Sequence, residues 1–306
     1  MSHPAKILLF GEYGIILNSM ALAIPYQRFS GQFRWPNSSA ENPLVTAIES
    51  NKKLKSLFAF LKNKAGKFRF LNLNLFENEV NNGLYFDSSI PIGSGLGSSG
   101  ALSAAIYDRY VTHVSLNDYQ LIKTELGAIE SFFHGISSGF DPLISFLKRP
   151  VMIDNHSSVI TGFDLTPFFN NYTFFLVNTL SKGNTGALVS NFMENYKNHD
   201  FKNSIDNVYI PLINEVIGSI INSDFDAFDK LIARYSEFQL SHFGAMVPVR
   251  MRKYFEHGIE SGDFYLKLCG SGGGGYMLGL APNHLKAESY FNLNHLEYMV
   301  VNHSEL

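Results

Sequence analysis

The sequence predicts a mixed α+β protein of two domains. Strand-like and helix-like segments both recur along the 306 residues, without the regular βαβ alternation that marks a doubly wound sheet. A chain of this length, 45% hydrophobic and 14% aromatic, can fill one large or two medium cores, and two agrees better with usual domain sizes. A glycine-bearing turn, Pro91-Ile-Gly-Ser-Gly-Leu-Gly-Ser-Ser-Gly100, opens an apolar-periodic stretch at Ala101 where an ordinary linker would need no helix.

The elements follow in order. Lys6 to Phe10 and Ile15 to Leu17 read as short strands around a Gly-Glu-Tyr-Gly turn, and Ala21 to Ile24 and Gly31 to Trp35 continue a sheet. Ala47 to Lys64 reads as an amphipathic helix, with Leu54, Leu57, Phe58 and Leu61 at helical spacing. Phe68 to Phe76 alternates apolar and polar residues, as a half-buried strand does, and Gly83 to Phe86 leads into the glycine turn. Two helices are expected next: Ser98 to about His113, then one from near Ser115, with Asp118 completing a capping-box variant, ending by Gly135. Val151 to Ile153 and Tyr172 to Asn178 read as strands, and helical patterns fill much of Ala187 to Phe238. Phe264 to Cys269 and Tyr276 to Leu280 read as strands flanking a second glycine run. The domain boundary is expected within Thr161 to Asn171, giving domains 1–165 and 166–306.

Composition narrows the function classes. Net charge is −3, with 24 basic against 27 acidic residues and no dense basic block, which disfavours a nucleic-acid groove. Cys269 is the single cysteine, so neither an intrachain disulfide nor a cysteine-based zinc site is available. The apolar run Ile7 to Phe10 is too short for a signal core, and no stretch approaches the ~20 apolar residues of a membrane span. The expected location is cytoplasmic, with no membrane partner.

The central turn carries the chemistry. Glycines let a backbone approach a polyanion closely, and a helix start presents unpaired N–H groups at the positive end of the peptide dipoles. Gly93, Ser94, Gly95, Leu96, Gly97, Ser98 and Ser99 are therefore the candidate nucleotide-phosphate residues. A P-loop is excluded, since Ala101 stands where its lysine belongs after Gly95 and Gly100. Gly95, Gly97 and Gly100 match the spacing of the dinucleotide fingerprint, but Pro91 interrupts the strand that should precede it.

Two further segments complete a pattern. Pro4-Ala-Lys6-Ile-Leu-Leu-Phe-Gly-Glu12-Tyr13 stands near the start, and Lys267-Leu-Cys-Gly270-Ser-Gly272-Gly-Gly-Gly275-Tyr276 near the end. With the central turn, these resemble the three signature motifs of the GHMP kinase superfamily, in the same order and at similar spacing. Within it, Glu130-Ser-Phe-Phe-His134-Gly-Ile-Ser-Ser138-Gly-Phe-Asp141 and Asn184-Thr185-Gly-Ala-Leu-Val most resemble the mevalonate kinase family. The resemblance implies a two-domain GHMP kinase fold: an amino-terminal domain like ribosomal protein S5 domain 2 and a ferredoxin-like carboxyl-terminal domain. It implies ATP and Mg²⁺ as cofactors and phosphorylation of the primary alcohol of mevalonate. Alternatives left open are phosphomevalonate or another small hydroxylated acid as acceptor, and a nucleotide-binding module without turnover. The partner is then a small molecule, and relatives also form homodimers.

Residue roles follow from the same resemblance. Asp141 faces the substrate hydroxyl and Lys6 is its cationic partner; on local pattern alone Asp141-Pro142 reads as a helix N-cap with proline at the first position. Glu130 and Ser99 are the implied magnesium ligands. Glu12, Thr185, Gly270 and Gly272 are the implied substrate-side residues. The pattern departs from the family at Tyr13, where histidine is common, and at Gly183, where arginine is frequent, with Lys182 adjacent.

Overall fold

The computed structural model describes residues 1–36, 45–113, 118–183 and 185–306. The chain divides by compactness into two units: Met1–Lys6, Pro25–Pro91 and Gly97–Arg149 in one, Ile7–Ile24, Ile92–Leu96 and Pro150–Leu306 in the other. This division does not follow the expected cut at residue 165, because the chain passes repeatedly from one unit to the other. Strands β1 (Ser2–Phe10) and β2 (Ala21–Arg34) each contribute residues to both units.

In the first unit, helices α1 (Val45–Asn63) and α2 (Leu73–Asn81) precede strand β3 (Tyr85–Ser88), and α3 (Ser98–Tyr110), α4 (Tyr119–His134) and α5 (Phe140–Leu147) follow. β3 pairs antiparallel with the far end of β2, from Gly31↔Ser88 to Arg34↔Tyr85. The expected segments at Ala21 to Ile24 and Gly31 to Trp35 are thus the two ends of one long strand. The core is built at helical spacing: Leu54, Leu57 and Leu61 of α1, Phe76 and Val80 of α2, and Ile122, Leu126 and Ile129 of α4 are all buried.

Two expected strands are not formed. The alternating segment Phe68 to Phe76 is not a strand, because from Leu73 onward it is helix α2, capped by the Asn72 side chain, which accepts from Leu75 N at 3.0 Å. Leu75 is 40% exposed while Phe76 and Val80 are buried, so the spacing that matters is 4 and the alternation is incidental. Ile15 to Leu17 is likewise no strand but part of a 3₁₀ turn, Gly14–Leu17. α3 stops at Tyr110, short of His113, where Val111 turns extended and bridges to Leu71. Ser115 lies outside the described residues. Asp118 is itself the N-cap of α4, accepting from Leu121 N at 2.9 Å, and Gly135 ends that helix.

In the second unit, β4 (Val151–Ile153) pairs with the start of β2, Ala21↔Ile153, and with β5 (Val159–Ile160). Then come α6 (Thr166–Asn171), β6 (Thr173–Asn178), α7 (Thr185–Asn195), α8 (His199–Ser204), α9 (Ile210–Ile221), α10 (Phe225–His242) and α11 (Val249–Ser261). The chain closes with β7 (Tyr265–Leu268), β8 (Tyr276–Ala281), α12 (His284–Leu293) and β9 (Tyr298–Val301). These strands form an antiparallel sheet in the order β7-β8-β6-β9. Phe175, Leu176 and Val177 are buried in succession, as befits a central strand covered on both faces. The mixed α+β expectation is met. No helix among the described residues is long and apolar enough to cross a membrane.

Candidate active site

Three of the expected residues, Lys6, Gly97 and Asp141, converge in the first unit. Gly97 adopts φ 77° and caps α3, and a Cβ there would lie 2.8 Å from Lys6 Cγ, so the lysine stem runs against the helix start. The Lys6 ammonium then reaches Asp141, Nζ to Oδ2 at 3.0 Å, with the lysine side chain 2% and the aspartate 34% exposed. A Cβ on Gly100 would approach Asp141 Cβ to 3.1 Å, so α3 and α5 touch at small residues just where these groups meet. Asp141 is not the N-cap of α5, as its sequence context suggests. Gly139 occupies that position with φ 74°, Asp141 lies in the first turn and Pro142 one residue further, which leaves the carboxylate for Lys6.

Glu130 is buried on α4 and accepts from Ser99 Oγ at 3.0 Å and from the Ser137 hydroxyl. Burial pushes its carboxyl up to about 7; the nearby Asp141 charge adds to the rise, while the serine hydrogen bonds and Lys6 oppose it. His134 Nε2 stands 3.0 Å from Ser99 Oγ, and desolvation holds its imidazole below the ordinary range. Sequence reasoning assigned no role to Ser137, although it sits inside the quoted segment.

The second unit holds the other half of the motif set. Gly93 and Gly95 adopt φ 74° and 84°. A Cβ on Gly95 would fall 2.1 Å from the Cys269 carbonyl oxygen, and one on Gly275 2.5 Å from Ser94 Cα. Tyr276 N donates to Ser94 O at 3.1 Å. The first part of the central turn thus lies backbone to backbone on the second glycine run, which explains why both are glycine-rich. Leu96 and Ser94 are buried, and Ser94 Oγ accepts from Leu96 N at 3.3 Å.

The substrate-side residues sort into two groups. Gly270 and Gly272 adopt φ 77° and 70° in the glycine run, and Ser271 between them donates from Oγ to Thr185 Oγ1 at 3.0 Å. Tyr13 joins them: its hydroxyl donates to Ser271 O at 2.6 Å and its ring stacks on Phe192 at 4.6 Å. Burial, then the Glu12 charge, keeps this phenol far above its ordinary range. Glu12, by contrast, presents no open face. It is 1% exposed, ion-paired to buried Lys267, and receives a hydrogen bond from the Tyr235 hydroxyl at 2.5 Å. It is an interior anchor, and neither Lys267 nor Tyr235 carried a sequence signal for that role. Asn184 lies outside the described residues, and Lys182 is exposed.

Residues 53–149 match the family model described as GHMP kinases N terminal domain. That segment carries the GHMP kinase amino-terminal domain. Mevalonate kinase of Thermococcus sibiricus is 25% identical over 312 residues, covering 92% of this chain and 88% of that one. Among solved structures, the Methanococcus jannaschii mevalonate kinase superposes with a TM-score of 0.65 at 18% identity, covering 98% of this chain and 96% of that one. The L. major mevalonate kinase in complex with R-mevalonate gives 0.66 at 15% identity, with 98% and 95% covered. The GHMP kinase fold thus extends over the whole chain, beyond the segment that the family model matches.

Proposed function

We propose that this GHMP kinase transfers the γ-phosphoryl group of ATP to the primary hydroxyl of mevalonate, giving 5-phosphomevalonate and ADP. The observation that carries the reading is the Lys6–Asp141 pair set against the first turn of α3, beside the Ser99–Glu130 contact. Named relatives of similar length support mevalonate as the acceptor.

Phosphoryl transfer asks a protein mainly for positioning and charge stabilisation. In this reading the amides of residues 93–99 and the α3 dipole hold the phosphate tail. Asp141, a third exposed, takes a hydrogen bond from the substrate hydroxyl and receives its proton as the new P–O bond forms. Lys6, buried against Gly97, keeps positive charge beside that oxygen and beside the carboxylate.

The residues also fit Mg²⁺. Glu130 is a buried carboxylate whose pKa is raised by burial and by Asp141, so a cation would relieve the repulsion that a proton otherwise relieves. Among the described residues no three His, Cys, Asp or Glu side chains gather as a metal cage, which suits an ion held largely by phosphate oxygens and water. Glu130 and Ser99 would hold it, and when bound it neutralises phosphate charge.

The test is ADP release in a coupled assay with ATP and Mg²⁺, offering mevalonate, phosphomevalonate and galactose in turn. Release with mevalonate is the expected outcome. Release with phosphomevalonate alone, or with none of the three, overturns the reading.

A further inference from the structure

The first unit contains a cavity of about 360 Å³ walled by one face of α4, by the 135–138 loop that follows it, and by Lys67. Its polar groups are unbalanced. Lys67 and Lys123 both line it, no carboxylate does, and neither lysine forms an ion pair among the described residues. Lys123 is half-buried, and desolvation lowers its pKa with no opposing charge to offset it. The hydroxyls of Thr124 and Ser131 donate back to the carbonyls of Gln120 and Ala128, so they offer no hydrogen to a ligand. Ser138 differs: its Oγ accepts from Phe140 N at 3.3 Å, which leaves its own hydrogen to be donated.

Two lysines and a serine hydroxyl with a hydrogen to donate line the cavity, and no acid does. We propose that this cavity binds a small multiply charged anion, phosphorylated or polycarboxylic, held by Lys67, Lys123 and Ser138. Its occupancy is felt at Glu130, because Ser138 is bonded in sequence to Ser137, whose hydroxyl donates to the Glu130 carboxylate. An anion that fixes Ser138 fixes the loop that orients Glu130. Binding rests on the cavity alone; the effect on turnover rests on the kinase reading.

Isothermal titration of the full chain without nucleotide or metal, using pyrophosphate and separately citrate as probes, tests the site. The phosphate-binding turn contributes its own heat, and Lys67→Gln/Lys123→Gln leaves that turn untouched. The double variant is expected to lose one binding event, weakening it about tenfold or more as two charge-assisted contacts disappear. Lys123→Arg is expected to retain it, and thermal melting checks that both variants fold. Loss of the pyrophosphate event alone assigns a phosphorylated ligand, loss of the citrate event alone a polycarboxylate, and loss of both a site selecting charge only. Identical titrations of wild type and double variant overturn the site. A probe that shifts the Mg²⁺ dependence of turnover in wild type but not in the variant supports the coupling, and an unchanged dependence in both overturns it.

Discussion

Lys6 Nζ lies 3.0 Å from Asp141 Oδ2, with the ammonium sealed from solvent and the carboxylate still reachable. That asymmetry suits a pair in which one member supports and the other touches substrate. Asp141→Asn keeps the shape but removes the charge and the proton acceptor, so kcat is expected to fall by about 10²- to 10⁴-fold. ATP affinity, measured by titration, should stay within about twofold, since in the proposed reading main-chain amides and the α3 dipole, not the Asp141 carboxylate, hold the phosphates. Lys6→Met should slow turnover similarly while leaving the melting curve cooperative. Near-normal turnover in either variant removes that residue from the chemistry.

Gly95 tests the packing that shapes the central turn. Its φ of 84° and the 2.1 Å approach of a built Cβ to the Cys269 carbonyl leave no room for a side chain. Gly95→Ala is expected to cost about 2–4 kcal/mol, combining a left-handed backbone with overpacking. Gly66→Ala is the control, because nothing lies within 4 Å of its built Cβ, and it should stay within about 0.5 kcal/mol of wild type. Urea unfolding of both variants decides the matter, and equal midpoints would refute the assigned role of Gly95.

The sequence disclosed most where chemistry demands particular residue types at short range. The glycines at 93, 95 and 97, the lysine of β1 and the Glu130-to-Asp141 segment were all legible, because small residues, helix starts and carboxylates have few substitutes. Local patterning misled where a brief alternation mimicked a strand. At Leu71, Leu73 and Leu75 only the burial of Phe76 and Val80 reveals the helix. Contacts distant in sequence were invisible. Nothing near Glu12 announces that Lys267, 255 residues later, will neutralise it in the interior.

That buried pair yields its own expectation. Lys267 and Glu12 are both fully buried, and Lys267 also donates to the Leu8 and Leu268 carbonyls at 3.3 and 2.6 Å. Removing one member strands a charge without water, so Lys267→Met should destabilise the fold by about 3–5 kcal/mol. Glu12→Gln/Lys267→Met removes both charges and should recover part of that loss. Denaturant titration of the two variants and wild type gives the comparison. A double variant less stable than Lys267→Met would contradict the pairing.

Acid sensitivity is expected at the first unit's surface. The Arg109 hydrogen bond, aided by the Tyr110 hydroxyl, holds the Glu79 carboxyl below its ordinary value. A depressed folded pKa means stability that is present above the unfolded carboxylate pKa and lost as pH falls through the folded one. Arg109 is 37% exposed, so solvent screens the pair and its share is at most about 1 kcal/mol. Arg109→Leu should therefore narrow the stability difference between pH 6 and pH 3 by about that amount. An unchanged pH profile would show the contact to be inert.

Tyr13 stands where the family resemblance implies histidine, and its surroundings say what the exchange does. The ring is 4% exposed, stacked on Phe192 and tilted against Phe243 at 5.4 Å, so it cannot swing out to solvent. Its hydroxyl holds the Ser271 carbonyl, and Ser271 in turn donates to Thr185. Tyr13 therefore sets the position of the residue between Gly270 and Gly272 without needing to touch substrate. Tyr13→Phe keeps the ring contacts and deletes one hydrogen bond to a part-buried carbonyl, at a cost of about 1 kcal/mol. With the glycine run free to shift, KM for the acceptor should rise several-fold while KM for ATP and kcat change less than about twofold. Tyr13→His restores a donor of shorter reach and should fall between the two. Steady-state kinetics with each substrate varied in turn separates these outcomes, and an acceptor KM unaltered in Tyr13→Phe would reduce Tyr13 to a packing residue.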